Sequence, residues 1–362
     1  MFLSPPAPVL VPLSSVYGAV VRARLALYRA GVLKSRQVNA AVISVGNITA
    51  GGTGKTPFVA WLARRLAQED ARRVWILTRG YGRNDVSKRV LVSDGARLLA
   101  DADEGGDEPR LLAEMLLDAG VAVLSDADRV AAARWALEKY GSEVFILDDG
   151  FQHLRLARDM DIVTLDGSDP WGGRKLLPRG RLREPLSGLK RAGAFVITRA
   201  DLAPGIEELR AEASRLGNGA PVFTSRLRTR RVRPLVSTAQ GGPDAANIHH
   251  VYQADDDFKR QPLTAFCALG NPANFFAHLR RDGHVITHTR AFGDHHKYTQ
   301  TDVDMLAREA ATNGASALAT TAKDAVKLRS LRFPLPCFVF EVELEIEGEA
   351  KLLALVRAAA RR

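Results

Sequence analysis

The stretch Ala41-Val42-Ile43-Ser44-Val45-Gly46-Asn47-Ile48-Thr49-Ala50-Gly51-Gly52-Thr53-Gly54-Lys55-Thr56-Pro57 decides the fold. A short apolar run enters a glycine-rich turn, and a helical periodicity from about Thr56 to Gln68 follows, so the pattern reads strand, loop, helix. Such a turn lets backbone N–H groups from Thr49, Ala50, Gly51, Gly52, Thr53 and Gly54 converge on phosphate oxygens, with the positive end of the helix behind them. Lys55 is in register to reach the β- and γ-phosphates of a nucleotide, and the Thr56 hydroxyl to ligate Mg²⁺. The strict G-x-x-x-x-G-K-[ST] spacing puts glycine where Thr49 stands, so this is a deviant form of the loop.

The same alternation continues on the C-terminal side. Apolar strands are expected at 74–78, 121–125, 144–148, 161–165 and 194–198, with helical stretches between them such as Asp128–Tyr140. Strand alternating with helix implies a parallel, three-layer α/β domain of the P-loop NTPase type. Around 226–262 the periodicity breaks into basic residues and then Gln, Gly, Pro, Asn and His, which reads as a linker. A second, smaller α/β unit follows, with strands expected at 263–268, 284–289, 317–321 and 337–342. The expected organisation is an N-terminal helix over 1–33, a nucleotide domain over 34–225, a linker over 226–262 and a lid-like domain over 263–362.

At about 150 residues per domain, 362 residues agree with two domains. A composition 46% hydrophobic and 25% charged excludes a long disordered chain and a polytopic membrane protein. The net charge of +10 points to an anionic partner: nucleic acid, a phosphorylated substrate or an acidic lipid surface. No basic segment is interleaved with aromatics, so a nucleic-acid module is not indicated. The two cysteines, Cys267 and Cys337, lie far apart, which excludes a disulfide framework or a cysteine-rich zinc site and fits a reducing compartment.

Residues 2–21 carry no charge, but Pro5, Pro6, Pro8 and Pro12 are expected to delay a helix until Pro12 or Leu13. From there Leu13, Val16, Tyr17, Val20, Val21, Leu25 and Tyr28 recur at helical spacing, and Arg22, Arg24 and Arg29 enter after the second turn. That run is too short to span a bilayer and suits a helix lying in the interface, arginines toward anionic headgroups.

A nucleotide loop needs a carboxylate at the end of a neighbouring strand to hold Mg²⁺. Val144-Phe145-Ile146-Leu147-Asp148-Asp149 supplies two, either of which serves. The run continues Asp148-Asp149-Gly150-Phe151-Gln152-His153, and with the deviant loop it resembles the tetraacyldisaccharide 4'-kinases of lipid A biosynthesis. Matching blocks follow in order: Thr78-Arg79-Gly80-Tyr81-Gly82-Arg83, Gly106-Asp107-Glu108-Pro109, Gly180-Arg181-Leu182-Arg183-Glu184-Pro185, Phe292-Gly293-Asp294-His295-His296 and the run from Thr320 to Leu328. Ala322 stands where the family has Glu.

The resemblance implies an enzyme at the cytoplasmic face of the bacterial inner membrane. It would move the ATP γ-phosphate to the 4'-hydroxyl of an acylated glucosamine disaccharide 1-phosphate. It also implies roles: Asp107 as the catalytic carboxylate, His295 as the histidine paired with it, Arg183 and Glu184 within the active site, Glu108 as a Mg²⁺-linked acid, and Gln152 and His153 as nucleotide-side contacts. The competing reading is a partition-type or iron-protein-type ATPase, or a GTPase switch. Ala50 stands where those ATPases carry lysine, and Ile197-Thr198-Arg199-Ala200-Asp201 mimics a guanine-reading loop only faintly.

Overall fold

The strand-forming runs are buried end to end, and that decides the architecture. In a computed structural model, which describes residues 7–235, 259–270, 272–293 and 296–361, the strands β1 (Ala41–Gly46), β2 (Val74–Thr78), β4 (Ala122–Ser125), β5 (Val144–Asp148), β6 (Met160–Asp166) and β7 (Ala194–Thr198) are buried at every position. Continuous burial is what a parallel sheet covered on both faces requires. β1 pairs with β5 and β6, β2 with β4 and β5, and β6 with β7, all in parallel. A short strand β3 (Val90–Ser93), not foreseen in the sequence, closes the edge antiparallel to β4.

Side chains alternate between the two faces. Val42, Trp75, Leu77, Phe145 and Leu147 pack with Val130 and Ala133 of the helix Arg129–Tyr140. Their neighbours Ile43, Val45, Ile76 and Ile146 are equally buried and turn to the other face. Helix α2 (Lys55–Gln68) and the helix Asp107–Leu116 pack on each other and against β2, β4 and β5. This is the three-layer α/β arrangement.

The chain divides into two units, 1–226 with 345–362, and 227–344. The second unit has its own parallel strands: β9 (Leu263–Cys267) between β10 (Ile286–Ala291) and β11 (Ala317–Thr321), with β12 (Cys337–Glu347) beside β11. Two boundaries differ from the sequence expectation. The first part of the expected linker is strand: β8 spans Val222–Pro234. Residues 236–258 of that linker lie outside the described residues. The expected single domain over 263–362 also does not hold to the end, because the last helix, Glu349–Ala359, belongs to the first unit. It buries Leu352, Leu353 and Val356, each worth roughly 1.5–3 kcal/mol, and its Arg357 bonds Asp70 and Glu69.

The N-terminal helix α1 (Ala7–Arg29) begins earlier than the prolines led us to expect. The first four N–H groups of any helix lack intrahelical partners, so Pro8 removes nothing, and Pro12 removes a single bond, to the Pro8 carbonyl. Ser14 and Gly18 are buried and Tyr17, Val21, Leu25 and Tyr28 half-buried, whereas Val11, Leu13, Val16, Val20 and Leu27 are exposed.

Candidate active site

The site is built where β1 ends. Asn47, fully buried, follows the strand, and its amide nitrogen donates to the Thr49 carbonyl at 2.7 Å. Thr49 forms a β-bridge with Leu182, so a side chain is accommodated where the strict motif has glycine. The left-handed positions of the turn are Gly51 (φ 109°) and Gly54 (φ 70°), where glycine is needed. Gly54 caps α2, so Lys55 and Thr56 open the helix, where unpaired N–H groups and the dipole favour an anion.

Lys55 Nζ lies 3.1 Å from Asn47 Oδ1 and 3.5 Å from Asp149 Oδ1. The Arg183 guanidinium grips both oxygens of the same carboxylate, at 2.9 and 2.7 Å. Burial works to raise the Asp149 carboxyl, but Lys55 and Arg183 together hold it below the usual carboxylate range. Asp149 also adopts a left-handed backbone (φ 52°), which turns it away from the strand line that Asp148 continues.

Asp148 is in the opposite condition. It is 4% exposed, and burial, with Glu108 and Asp149 adding like charge, pushes its carboxyl up to about 7 against the pull of Lys55 and Arg129. Asp107 and Glu108 open the helix Asp107–Leu116 behind Gly106 (φ 100°). A Cβ on Gly106 would come within 2.9 Å of the Tyr81 carbonyl, and one on Gly80 within 3.0 Å of the Gly105 carbonyl. These glycines let the loops 78–83 and 105–108 touch backbone to backbone, which brings two of the sequence blocks together.

Gln152 sends its amide nitrogen to the Asn47 carbonyl and to Glu184 Oε1, each at 2.8 Å. Glu184 is 1% exposed and paired with Arg191 at 3.0 Å, so it acts as an internal anchor for Gln152. His153 has Arg129, Arg158 and Asp128 as its charged neighbours. Burial and the two arginines pull its imidazole down to about 4. His295 lies outside the described residues. Its neighbour His296 is engaged within its own unit, with Nε2 3.1 Å from Asp302 and its ring stacked on Phe292.

Sequence reasoning missed the parts that four residues play. Asn47 lay inside the quoted loop, and a buried Asn at a strand end was its signal. Arg181 bonds the Ala50 carbonyl, and Arg199 the Gly52 carbonyl. Tyr17 of α1 donates its hydroxyl to the Arg183 carbonyl at 2.8 Å.

The donor set fits a magnesium ion of the kind that keeps waters and phosphate oxygens as ligands. It offers a threonine hydroxyl at the start of α2 and a buried carboxylate, Asp148, which Lys55 and Arg129 influence but which makes no ion pair among the described residues. Among the described residues no cluster of three or more His, Cys, Asp or Glu forms an all-protein metal cage.

Comparison with known proteins gives a consistent result. Residues 6–361 match the family model described as tetraacyldisaccharide-1-P 4'-kinase, LpxK. A tetraacyldisaccharide 4'-kinase of Halothermothrix orenii is 37% identical over 353 residues, covering 95% of this chain and 90% of the relative. One of Anaeromyxobacter dehalogenans is 42% identical over 314 residues, covering 86% and 79%. The crystal structure of LpxK from Aquifex aeolicus in complex with ATP superposes with a TM-score of 0.75 at 32% identity, covering 97% of this chain and 98% of that one.

Proposed function

The chain belongs to the tetraacyldisaccharide-1-P 4'-kinase family, and from that premise we propose how its own residues transfer the γ-phosphate of ATP to the 4'-hydroxyl of the lipid A disaccharide precursor. The observation that carries the residue-level reading is the division of the strand-end pair: Asp149 is committed to Lys55 and Arg183, and Asp148 is left for a cation.

The amides of the glycine loop and the N-terminus of α2 bind the phosphates. Lys55, oriented by Asn47 and Asp149, neutralises charge that accumulates between the β- and γ-phosphates as the bond breaks. Arg183, held by Asp149, adds a second cation on the same side. Thr56 and Asp148 would hold the Mg²⁺ that accompanies ATP, with Glu108 beside Asp148. The ion supplies charge neutralisation on the phosphate oxygens when bound. Asp107, on the adjacent helix turn, accepts the proton of the sugar hydroxyl. Gln152 and Glu184 hold Asn47 and the 183–184 segment in place.

The membrane part of the reading rests on α1, which starts earlier than expected and, contrary to the sequence reading of its apolar run as too short, is the one helix among the described residues long and apolar enough to cross a bilayer. Its inner side is tied to the kinase unit: Ser14 donates to the Leu176 carbonyl, Tyr17 to that of Arg183 and Arg24 to that of Gln152. A helix so held lies on a membrane rather than through it. Its outer side presents Val16 and Val20 at 64% and 62% exposure, for insertion among lipids. Arg22 and Arg29 would meet anionic headgroups on the cytoplasmic face, where ATP is available. The basic charge then serves lipid and phosphate, and no nucleic-acid partner is involved.

The test is incubation of the purified protein with γ-labelled ATP, Mg²⁺ and the tetraacyl disaccharide 1-phosphate in mixed micelles. A labelled bisphosphorylated lipid is expected. Label released only as inorganic phosphate would refute the transfer.

A further inference from the structure

A trans peptide unit is rigid, and its N–H and C=O point in opposite directions. An anion cradle needs N–H groups turned inward, and each inward N–H therefore needs the preceding residue's carbonyl turned outward. In this loop three such carbonyls are held by side chains from outside it. Ala50 O accepts from Arg181 Nε at 3.0 Å, Gly52 O from Arg199 Nη2 at 2.7 Å, and Thr53 O from Thr198 Oγ1 at 2.8 Å. The N–H groups of these same peptide units belong to Gly51, Thr53 and Gly54. Among the described residues none of those three N–H groups has a hydrogen-bond acceptor.

We propose that Arg181, Thr198 and Arg199 are positioning residues of the phosphate cradle, which aim the amides of Gly51, Thr53 and Gly54 at the nucleotide by fixing the carbonyls on the far side of the same peptide units. The proposal rests on the nucleotide-binding reading above and assigns it three residues outside the loop.

Each arginine is itself oriented. Arg181 Nη1 pairs with Asp169 at 2.8 Å, and its backbone is zipped to the loop, with Ala50 N–H donating to Arg181 O at 2.6 Å. Arg199 Nε donates to Asp166 at 2.9 Å and its second nitrogen also pairs with that carboxylate. Thr198 ends β7, where its hydroxyl reaches both Thr53 O and Leu165 O. A Cβ on Gly54 would stand 3.2 Å from the Thr198 side chain, so the turn is packed directly on this residue. A charged donor on a carbonyl also polarises the peptide and strengthens its N–H as a donor. The segment Ile197–Asp201, which resembles a base-reading loop in the sequence, thus acts on the phosphate loop.

The test separates this role from general stability and from the kinase reading. Arg181→Ala is the clean variant, because Asp169 is 41% exposed and no buried charge is stranded. Thr198→Val keeps shape and removes the donor. Arg199→Ala strands Asp166, which is 1% exposed, so it is made together with Asp166→Asn. Arg181→Ala and Thr198→Val are each expected to raise the KM and the calorimetric Kd for ATP about tenfold, with the lipid KM changed by less than about twofold. Arg181→Lys, which keeps the charge but not the fork that spans Ala50 O and Asp169, should restore little. ATP affinity within about twofold of the parent in both variants, an equal rise in both KM values, or full rescue by lysine would each overturn the proposal. A parent protein that binds no ATP while remaining folded would overturn the nucleotide reading beneath it.

Discussion

Asp148 and Asp149 are adjacent and identical in chemistry, the first buried and the second half-buried, and they belong to two differently charged halves of the site. On one side Asp149 is enclosed by Lys55 and Arg183 and kept ionised. On the other, Asp148 faces Glu108 and its own neighbour, and holds its proton up to about pH 7. The difference comes from one backbone feature. The left-handed turn at Asp149 swings its side chain toward the helix that starts at Lys55, while Asp148 continues the strand. A site that positions a phosphate with one carboxylate and leaves another to a cation needs this asymmetry, and it has a cost in stability that can be measured.

The largest effect should come from the cation-rich half. Lys55→Ala removes the charge nearest the transferring phosphate and should lower kcat about a thousandfold or more, with unfolding by urea little changed. Label transfer within about tenfold of the parent would break the assignment of Lys55 to the reacting phosphates.

Asp148→Asn and Asp149→Asn test the asymmetry itself, with activity in each falling by about a hundredfold. Their stability effects should have opposite signs. A carboxyl raised in the folded state binds its proton more tightly there than in the unfolded chain, so its contribution to stability falls as pH rises from about 4 to about 7. Without nucleotide or Mg²⁺, Asp148→Asn should therefore stabilise the protein by about 2–4 kcal/mol at pH 8 and by much less near pH 4. Asp149 is held low, so its contribution is present above pH 4 and is lost as pH falls below that. Asp149→Asn should destabilise by about 2–4 kcal/mol at pH 8. Asparagine tolerates the left-handed backbone, so the second result would reflect the lost charge. Urea midpoints at pH 4 and pH 8 decide both. The same sign for the two variants at pH 8 would remove the distinction between the halves.

How much of this the sequence carried follows from where each signal lies. The glycine loop, β5 and the Asp pair are local patterns of apolar run, turn and charge, and they are found where the pattern put them. The division of labour between Asp148 and Asp149 is set by Arg183, more than thirty positions away, and by one dihedral angle. β8 was read as linker because its residues Arg226, Arg231 and Arg233 look like a solvated basic run. Their partners, Glu345 for the first and Glu341 for the other two, lie over a hundred positions downstream on β12. The return of the last helix to the first unit has no local signature either, because an amphipathic helix does not say which core it covers. For α1 the sequence showed one apolar stripe and the structure shows two. Tyr17, Val21 and Leu25 turn inward and Val16 and Val20 outward, since the first turns are apolar all round.

The smallest expected effect is the one that asks whether α1 reaches into only one of the halves. Tyr17 donates to the carbonyl of Arg183, the residue that grips Asp149. Burial raises the Tyr17 phenol above its ordinary range, so the hydroxyl remains a donor throughout the working pH. Tyr17→Phe keeps the ring packed on the kinase unit and deletes this single bond, a loss of about 1 kcal/mol. If the bond positions Arg183, kcat should fall about threefold to tenfold, with the KM for ATP little changed and binding to anionic vesicles unaltered, because the outward valines are untouched. The effect should also vanish in an Arg183→Ala background, since a carbonyl need not be placed for a guanidinium that is gone. The pH dependence of stability contributed by Asp148 should be the same with Tyr or Phe at this position, as nothing in the cation-poor half depends on that carbonyl. A Tyr17→Phe loss that persists unchanged without Arg183, or that shifts the Asp148 profile, would mean that α1 supports the whole site rather than the half that holds the phosphate.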